Sequence, residues 1–319
     1  MINALIEPLV EVRIPTYRRP EMLIDALQSL LRQTHQRWLA IVFDDSPDCE
    51  AKGIVRSLDD PRISYASNRT RLGAAGNINQ CFNPSPLCHE ASYFFCLEDD
   101  NLIQPQFIEL NIVALRESGC AVMMRNQRIF ARRSSGHVVV DGTTLGPWFS
   151  VTGVYSSLEL CARTFFYTGV SNGALFWSRT SRSVLYDRFS VTDPSLQEYV
   201  RCWGLSEDIY IDLAPQALYH LPEQPTDRHY TTDKSFSRGI QSAHRALVRT
   251  YGARLVCEVV KLGRLYGQEQ QSYRGLSNLA SFRVSWLIVR CGGRIILKAF
   301  LRGLIKRVFI ASPLRLYPD

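Results

Sequence analysis

The chain has 319 residues, 46% hydrophobic and 21% charged, with a formal net charge of +7. That balance fits one large or two modest folded domains and excludes a low-complexity or collagen-like chain. No stretch approaches the roughly 18 uncharged apolar residues of a membrane span, and the opening MINALIEPLVEVRIP lacks the basic start and apolar run of a signal peptide. The nine cysteines contain no C-x-x-C pair, so reduced thiols in a cytosolic compartment are the natural expectation.

The first 120 residues alternate between strand and helix patterns. LVEVRIP is a strand. PEMLIDALQSLLRQT is a helix, with Pro20 at its first position, Glu21 at its positive end and Leu23, Ala26, Leu27, Leu30 and Leu31 at helical spacing. RWLAIVFDD is a second strand, CEAKGIVRSL a short helix, RISYASN a third strand, AAGNINQCF a helix, ASYFFCLEDD a fourth strand and QPQFIELNIVALRES a helix. Such alternation predicts βαβ units and a mostly parallel sheet, whose ligands bind beyond the C-terminal strand ends. Polar clusters fall at four of those ends: PTYRR, DDS, NRTRLGAAGN and EDDN.

Beyond residue 121 the pattern is mixed. HVVVDGTTL and GALFWSRT read as strands, and LSEDIYIDLAPQA as a helix with Ser206 as its N-cap. Residues 222–238 read as a long loop, followed by a helical stretch. Gln271 to Asp319 hold nine Lys or Arg against one acidic residue, more than the net charge of the whole chain. Arg290, Arg294, Lys298, Arg302 and Lys306 recur every four residues among apolar ones. This predicts a cationic amphipathic helix suited to an anionic membrane surface, or one packed on its own protein with a solvated basic edge. No nucleic-acid-reading module is present.

IPTYRRPEMLIDALQSLLRQT, IVFDDSPD, NRTRLGAAGNIN and FFCLEDDN, in that order, resemble the nucleotide-sugar domain of the family 2 glycosyltransferases; GVSNGALFWSR and WGLSEDIYIDL resemble its acceptor-side segments. The resemblance covers roughly residues 9 to 221. It implies a GT-A, Rossmann-like α/β fold: a mostly parallel sheet flanked by helices, with a helical C-terminal extension. The implied domains are 1–238 (1–120 nucleotide-sugar half, 121–238 acceptor half and lid loop) and 239–319. The implied activity is inverting transfer of a sugar from a nucleoside diphosphate sugar, UDP favoured, to a hydroxyl of a glycan or lipid-linked acceptor in cell-surface polysaccharide synthesis, at the inner face of the plasma membrane.

The resemblance also implies site residues. Pro15, Thr16, Tyr17 and Arg18 would meet the base and ribose, with Asp44 or Asp45, a pair that equally suits a turn or helix cap. Arg71, Gly73 and Asn77 would approach ribose or phosphate. Glu98, Asp99 and Asp100 correspond to the family's Asp-x-Asp-type motif, with Glu98 where Asp is commoner. Asp100 would bind a divalent cation, Mn²⁺ or Mg²⁺, with Asp99 at the ribose or the metal and His220 completing the shell. A hard cation needs oxygen ligands and stabilises the leaving diphosphate. Asp208, with Glu207 second, would be the general base. An ion rather than a protein group would then supply the positive charge opposite the carboxylates. Two other readings compete: a sugar-phosphate nucleotidyltransferase, and a non-catalytic membrane-associated nucleotide-sugar-binding protein.

Overall fold

The computed structural model of the chain describes residues 7–133, 136–165, 170–189, 194–221 and 234–266. They fall into two compact units, Met1–Ser157 with Val170–Arg228, and Leu158–Gly169 with His229–Asp319.

The first unit is built on one ten-stranded sheet. Strand β1 (Leu9–Thr16) is buried along its whole length. It pairs in parallel with β2 (Trp38–Asp44) on one side and β4 (Ala91–Cys96) on the other, and β2 pairs in parallel with β3 (Ile63–Ser67). Central strands covered on both faces are near-continuously apolar, and the charged residues within β1 are Glu11 and Arg13. These two form a buried ion pair at 2.6 Å. Glu11 accepts the backbone N–H groups of Leu87 and Cys88, while Arg13 donates to the carbonyls of Cys81, Asn83 and Ser85. The pair thereby fixes the segment before β4.

Helix α1 (Pro20–Leu31) buries Leu23, Ala26, Leu27 and Leu30 against the sheet, each contributing on the order of 1–3 kcal/mol. α2 (Glu50–Leu58), α3 (Gly73–Gln80) and, after the two-residue strand β5 (Leu102–Ile103), α4 (Phe107–Ser118) follow as expected.

The remaining strands are β6 (Val122–Arg133), β7 (Gly136–Thr143), β8 (Gly153–Tyr155), β9 (Leu175–Ser178) and β10 (Ile209–His220); helices α5 (Ser157–Thr164) and α6 (Pro194–Cys202) lie between them. The sheet order is β3-β2-β1-β4-β9-β6-β10-β5, with β7 on β6 and β8 on β10. β9 is antiparallel to both β4 and β6, and β10 is parallel to β6. β1–β4, β6 and β10 therefore share one direction, and their C-terminal ends share one edge.

One expectation fails here. LSEDIYIDLAPQA is not a helix: from Ile209 it is β10, the strand that carries the far half of the sheet. Ile209 and Ile211 are fully buried and Tyr210 and Asp212 are not, a period of two that suits β-branched and aromatic residues. Pro215 would break a helix interior, and here it sits in the register shift between Asp212 and Ala217.

In the second unit, α7 (Lys234–Leu265) contains Gly252 at φ 83°, which breaks its helical path. Phe165 stacks on His244 at 5.3 Å, and burial lowers the His244 pKa to about 4. Cys257 is disulfide-bonded, unlike the seven other described cysteines, so the expectation of thiols throughout does not hold. Residues 222–233 and the basic tail from 271 lie outside the described residues. Among the described residues no helix is long and apolar enough to cross a membrane.

Candidate active site at the C-terminal edge of the sheet

The loops after β1, β3 and β4 form a cleft of about 80 Å³, open to solvent and lined by Pro15, Thr16, Tyr17, Arg19, Asn77, Glu98 and Asp99 among others. Asp99, which lines it, and the adjacent Asp100 form a carboxylate pair. Asp99 Oδ2 accepts the Thr16 hydroxyl at 2.8 Å, and the Arg19 guanidinium reaches Asp99 Oδ1 at 3.2 Å and Asp100 Oδ2 at 2.6 Å. Burial, then the neighbouring charge of Asp100, pushes the Asp99 carboxyl up to about 6, against the opposing pull of Arg19. For Arg19, burial works against its charge, but Asp99 and Asp100 outweigh it and raise its pKa.

A protein group thus stands opposite the acidic motif, where an ion alone was expected. Arg18, the arginine singled out from sequence, is exposed and turns toward Asp48 at 3.9 Å. The cause is local: Arg18 has φ 50°, in the left-handed region, and its N–H donates to Ser46 Oγ. That turn separates the two neighbouring side chains and aims Arg19 inward. Such non-glycine conformations are costly and cluster at functional sites.

Tyr17 forms the rim, with the Arg71 guanidinium 4.8 Å and the Arg18 guanidinium 5.5 Å from its ring centroid. Asp44 and Asp45 are occupied by the chain itself. Asp44 accepts the N–H of Ser46 and of Ala51 in the first turn of α2, and the Tyr65 hydroxyl. Asp45 accepts the N–H groups of Leu72 and Gly73 at the start of α3, and Asn68 Nδ2. Neither helix has a side-chain bond from its own N-cap residue, so the two aspartates satisfy those helix starts from a distance. Asn77 donates to the Thr16 and Phe43 carbonyls, tying the ends of β1 and β2 beneath the cleft. Gly73, at φ 72°, needs glycine for its backbone.

On the other side of the carboxylates, His220 ends β10. Its backbone N–H donates to Asn101 Oδ1 at 2.9 Å, and its Nδ1 lies 3.9 Å from Asp100 Oδ2, buried and with no hydrogen-bond partner. Among the described residues no group of three His, Cys, Asp or Glu converges as a closed metal cage. An open half-shell fits the proposed ion instead. Mg²⁺-type sites take one or two carboxylates and complete themselves with substrate phosphates, and the unpartnered His220 Nδ1 beside Asp100 is a ready ligand.

Glu207 and Asp208 are elsewhere. They precede β10, at the sheet edge opposite Asp99 and Asp100, and sit within electrostatic reach of Cys120 before β6. Glu207 Oε1 accepts the hydroxyls of Ser181 and Ser183 and the N–H groups of Arg182 and Ser183. Burial pushes its carboxyl up, but those bonds win and hold it below the usual range. It clamps the turn after β9. Strand direction therefore does not bring Asp208 or Glu207, expected as general base, to the edge that holds Asp99 and Asp100.

Among the described residues, Glu198 is an acid that reaches the edge where β4 ends. The 3₁₀ turn Asn172–Ala174 leads into β9, which runs antiparallel to β4 and so begins where β4 ends. Glu198 Oε1 on α6 accepts the Asn172 backbone N–H at 3.3 Å and Asn172 Nδ2 at 3.4 Å. Arg201, one turn on, donates to Asn172 Oδ1 at 2.9 Å and lies over the Phe82 ring at 3.6 Å. Sequence reasoning missed α6, although Leu196, Tyr199, Val200 and Trp203, all buried, hold the i, i+3, i+4, i+7 spacing of a helix.

Residues 11–143 match the family model described as Glycosyl transferase family 2. WcaA of Escherichia coli K12, named as a colanic acid biosynthesis glycosyl transferase, is 31% identical over 96 residues, 30% of this chain and 33% of that protein. WfgD of E. coli, named as a UDP-Glc:alpha-D-GlcNAc-diphosphoundecaprenol beta-1,3-glucosyltransferase, is 24% identical over 126 residues, 40% of this chain and 48% of its own. The chain thus spans a third to a half of the length of these curated relatives. The structure of S. aureus TarS residues 1–349 superposes with a TM-score of 0.59 at 12% identity, covering 96% of this chain and 93% of that one. The same fragment in complex with UDP gives 0.58 at 12% identity, over 97% and 94%. Residues 11–143 are thus similar to the family 2 glycosyltransferases, and the fold is the GT-A fold of the TarS structures.

Proposed function

We propose that this protein is an inverting, divalent-cation-dependent glycosyltransferase. It takes a nucleoside diphosphate sugar, with UDP favoured, and glycosylates a hydroxyl of a glycan or lipid-linked acceptor in cell-surface polysaccharide synthesis. The observation that carries this is the carboxylate pair after β4, in which Asp99 lines the cleft and meets Thr16 and Arg19 while Asp100 meets Arg19 and lies near His220. The UDP and UDP-GlcNAc complexes of TarS support the donor class, and the relatives' names support the polysaccharide setting.

Asp100, with His220 and Asp99, would hold the cation, which supplies positive charge to the leaving diphosphate. Arg19 adds a second, permanent charge beside it. Tyr17 offers a ring face to the base, and Arg71 a guanidinium to phosphate. As the acceptor oxygen bonds to the anomeric carbon, the carbon–oxygen bond to the β-phosphate breaks. The nucleotide leaves with the electron pair, and the acceptor proton passes to the Glu198 carboxylate. A single displacement of this kind inverts the anomeric centre. The chain's basic 271–319 tail supports peripheral contact with anionic membrane, which co-sedimentation with phosphatidylglycerol vesicles would report.

Calorimetry with UDP-, GDP- and dTDP-sugars, with and without Mn²⁺, tests the reading. Mn²⁺-dependent binding of at least one UDP-sugar is expected. Binding of none of them overturns it.

A further inference from the structure

The two adjacent carboxylates are nearly closed off from water: the side chains of Asp99 and Asp100 are 7% and 10% exposed. Burying unpaired charge is expensive, so such a pair needs a cation beside it. In the folded chain that cation is Arg19. One nitrogen, Nη1, serves both acids, donating to Asp99 Oδ1 at 3.2 Å and to Asp100 Oδ2 at 2.6 Å.

A guanidinium carries five N–H donors on three nitrogens. Among the described residues, Nε and Nη2 of Arg19 have no hydrogen-bond partner. The side chain is 29% exposed and lines the cleft. Arg19 therefore holds the acids with one corner and keeps further donors for an anion entering the cleft.

One oxygen is contested. Asp100 Oδ2 accepts from Arg19, and the same atom lies 3.9 Å from His220 Nδ1. A divalent cation held by Asp100 and His220 would meet an oxygen that Arg19 already occupies, and positive charges gathered on one oxygen repel. The backbone leaves only the side chain to yield. Arg18, at φ 50°, is tied through its N–H to Ser46 Oγ, Pro20 follows at the start of α1, and the Arg19 carbonyl accepts the Leu23 N–H at 3.0 Å. A residue before proline has little backbone freedom, whereas an arginine side chain has many rotamers.

We propose that Arg19 is a placeholder for the divalent cation: it neutralises Asp99 and Asp100 until the ion binds, then yields them and passes its guanidinium to the nucleoside diphosphate. This rests on the donor and cation readings above and adds to them an exchange of partners. The consequence is cooperativity. Alone, the ion must displace Arg19; the nucleotide gains the Arg19 contact only after the ion has freed it. By linkage, each ligand then tightens the other by the same factor.

The test uses the full chain, with Mn²⁺ binding read by electron paramagnetic resonance and UDP binding by calorimetry, without and with saturating Mn²⁺. In the wild type Mn²⁺ should tighten UDP by roughly 5- to 150-fold. Arg19→Ala should tighten Mn²⁺ alone several-fold, leave UDP without Mn²⁺ within about two-fold, and weaken UDP in saturating Mn²⁺ by about five-fold. Arg19→Gln keeps the length of the stem while removing the charge, and should repeat this pattern if Arg19→Ala fails to fold. Arg19→Lys keeps the charge but not the fork, and should recover part of the UDP loss. The proposal is overturned if Mn²⁺ alone binds the neutral variants no more tightly, if UDP weakens equally with and without Mn²⁺, as a fixed contact would require, or if UDP weakens in neither condition. A wild type whose UDP binding is absent or indifferent to Mn²⁺ overturns the donor or cation reading together with this proposal; Mn²⁺-dependent wild-type binding with unaffected variants overturns this proposal alone.

Discussion

The two halves of the sheet build the same edge in different ways. In the first half each strand delivers its own loop, and the groups that shape the cleft lie within a few residues of a strand end: Thr16 and Arg19 after β1, Asp44 and Asp45 after β2, Asp99 and Asp100 after β4. In the second half the edge is assembled from distant pieces. His220 closes a twelve-residue strand, Asn172 begins a strand running the opposite way, and Glu198 arrives on a helix. Local pattern governs the first arrangement and chain direction the second.

Substitutions at strand ends should separate residues that meet ligand from those that hold loops. Asp100→Ala should show the largest effect. Losing a carboxylate opposite the diphosphate should lower UDP-sugar turnover on the order of 10³-fold with little change in melting temperature; a change below ten-fold would remove Asp100 from the site. Asp45→Ala should do the reverse. It strips a buried carboxylate from three donors and should cost about 2–4 kcal/mol of stability, read by urea unfolding, whereas Asp208→Ala on the exposed far edge should change it by less than about 0.5 kcal/mol.

Proton competition comes next in size. Because Asp99 is raised to about 6, it is ionised and available above that pH and protonated below it. Mn²⁺ affinity, followed by electron paramagnetic resonance, should be flat above pH 7 and fall about ten-fold per unit well below pH 6. Stability runs the opposite way: the folded state holds this proton more tightly than the unfolded one, so burying Asp99 costs stability above pH 6 and that cost fades as pH falls toward 4. The smallest expected effect is at Arg19. Arg19→Ala removes a cation that competes for Asp99 and Asp100, so Mn²⁺ affinity without nucleotide should rise several-fold while UDP affinity falls.

The first half was legible because its signals are short-range. Period-two and period-3.6 apolar patterns placed β1–β4 and α1–α4 to within a few residues, and the acidic strand ends marked the functional edge. Arg19 was hidden by one backbone dihedral: nothing in PTYRRP tells which arginine turns inward until Arg18 is seen in the left-handed region. In the second half, Ser206, Glu207 and Asp208 imitate a helix start, and that imitation concealed the alternation of Ile209 and Ile211 in β10. The assignment of Asp208 and Glu207 as base rests on the resemblance of WGLSEDIYIDL to an acceptor-side segment, which carries no strand direction. Once β10 is a strand parallel to β6, its first residues cannot stand beside the last residues of β4.

The central claim is that the base stands on α6 at the edge of the carboxylate pair, and it is tested most directly by comparing UDP release from the preferred UDP-sugar by Glu198→Gln and Asp208→Asn, each checked for unchanged Mn²⁺-dependent UDP binding. The account predicts a loss of roughly 10²- to 10⁴-fold for Glu198→Gln and near wild-type turnover for Asp208→Asn. Full activity in Glu198→Gln, with the loss in Asp208→Asn, would contradict it.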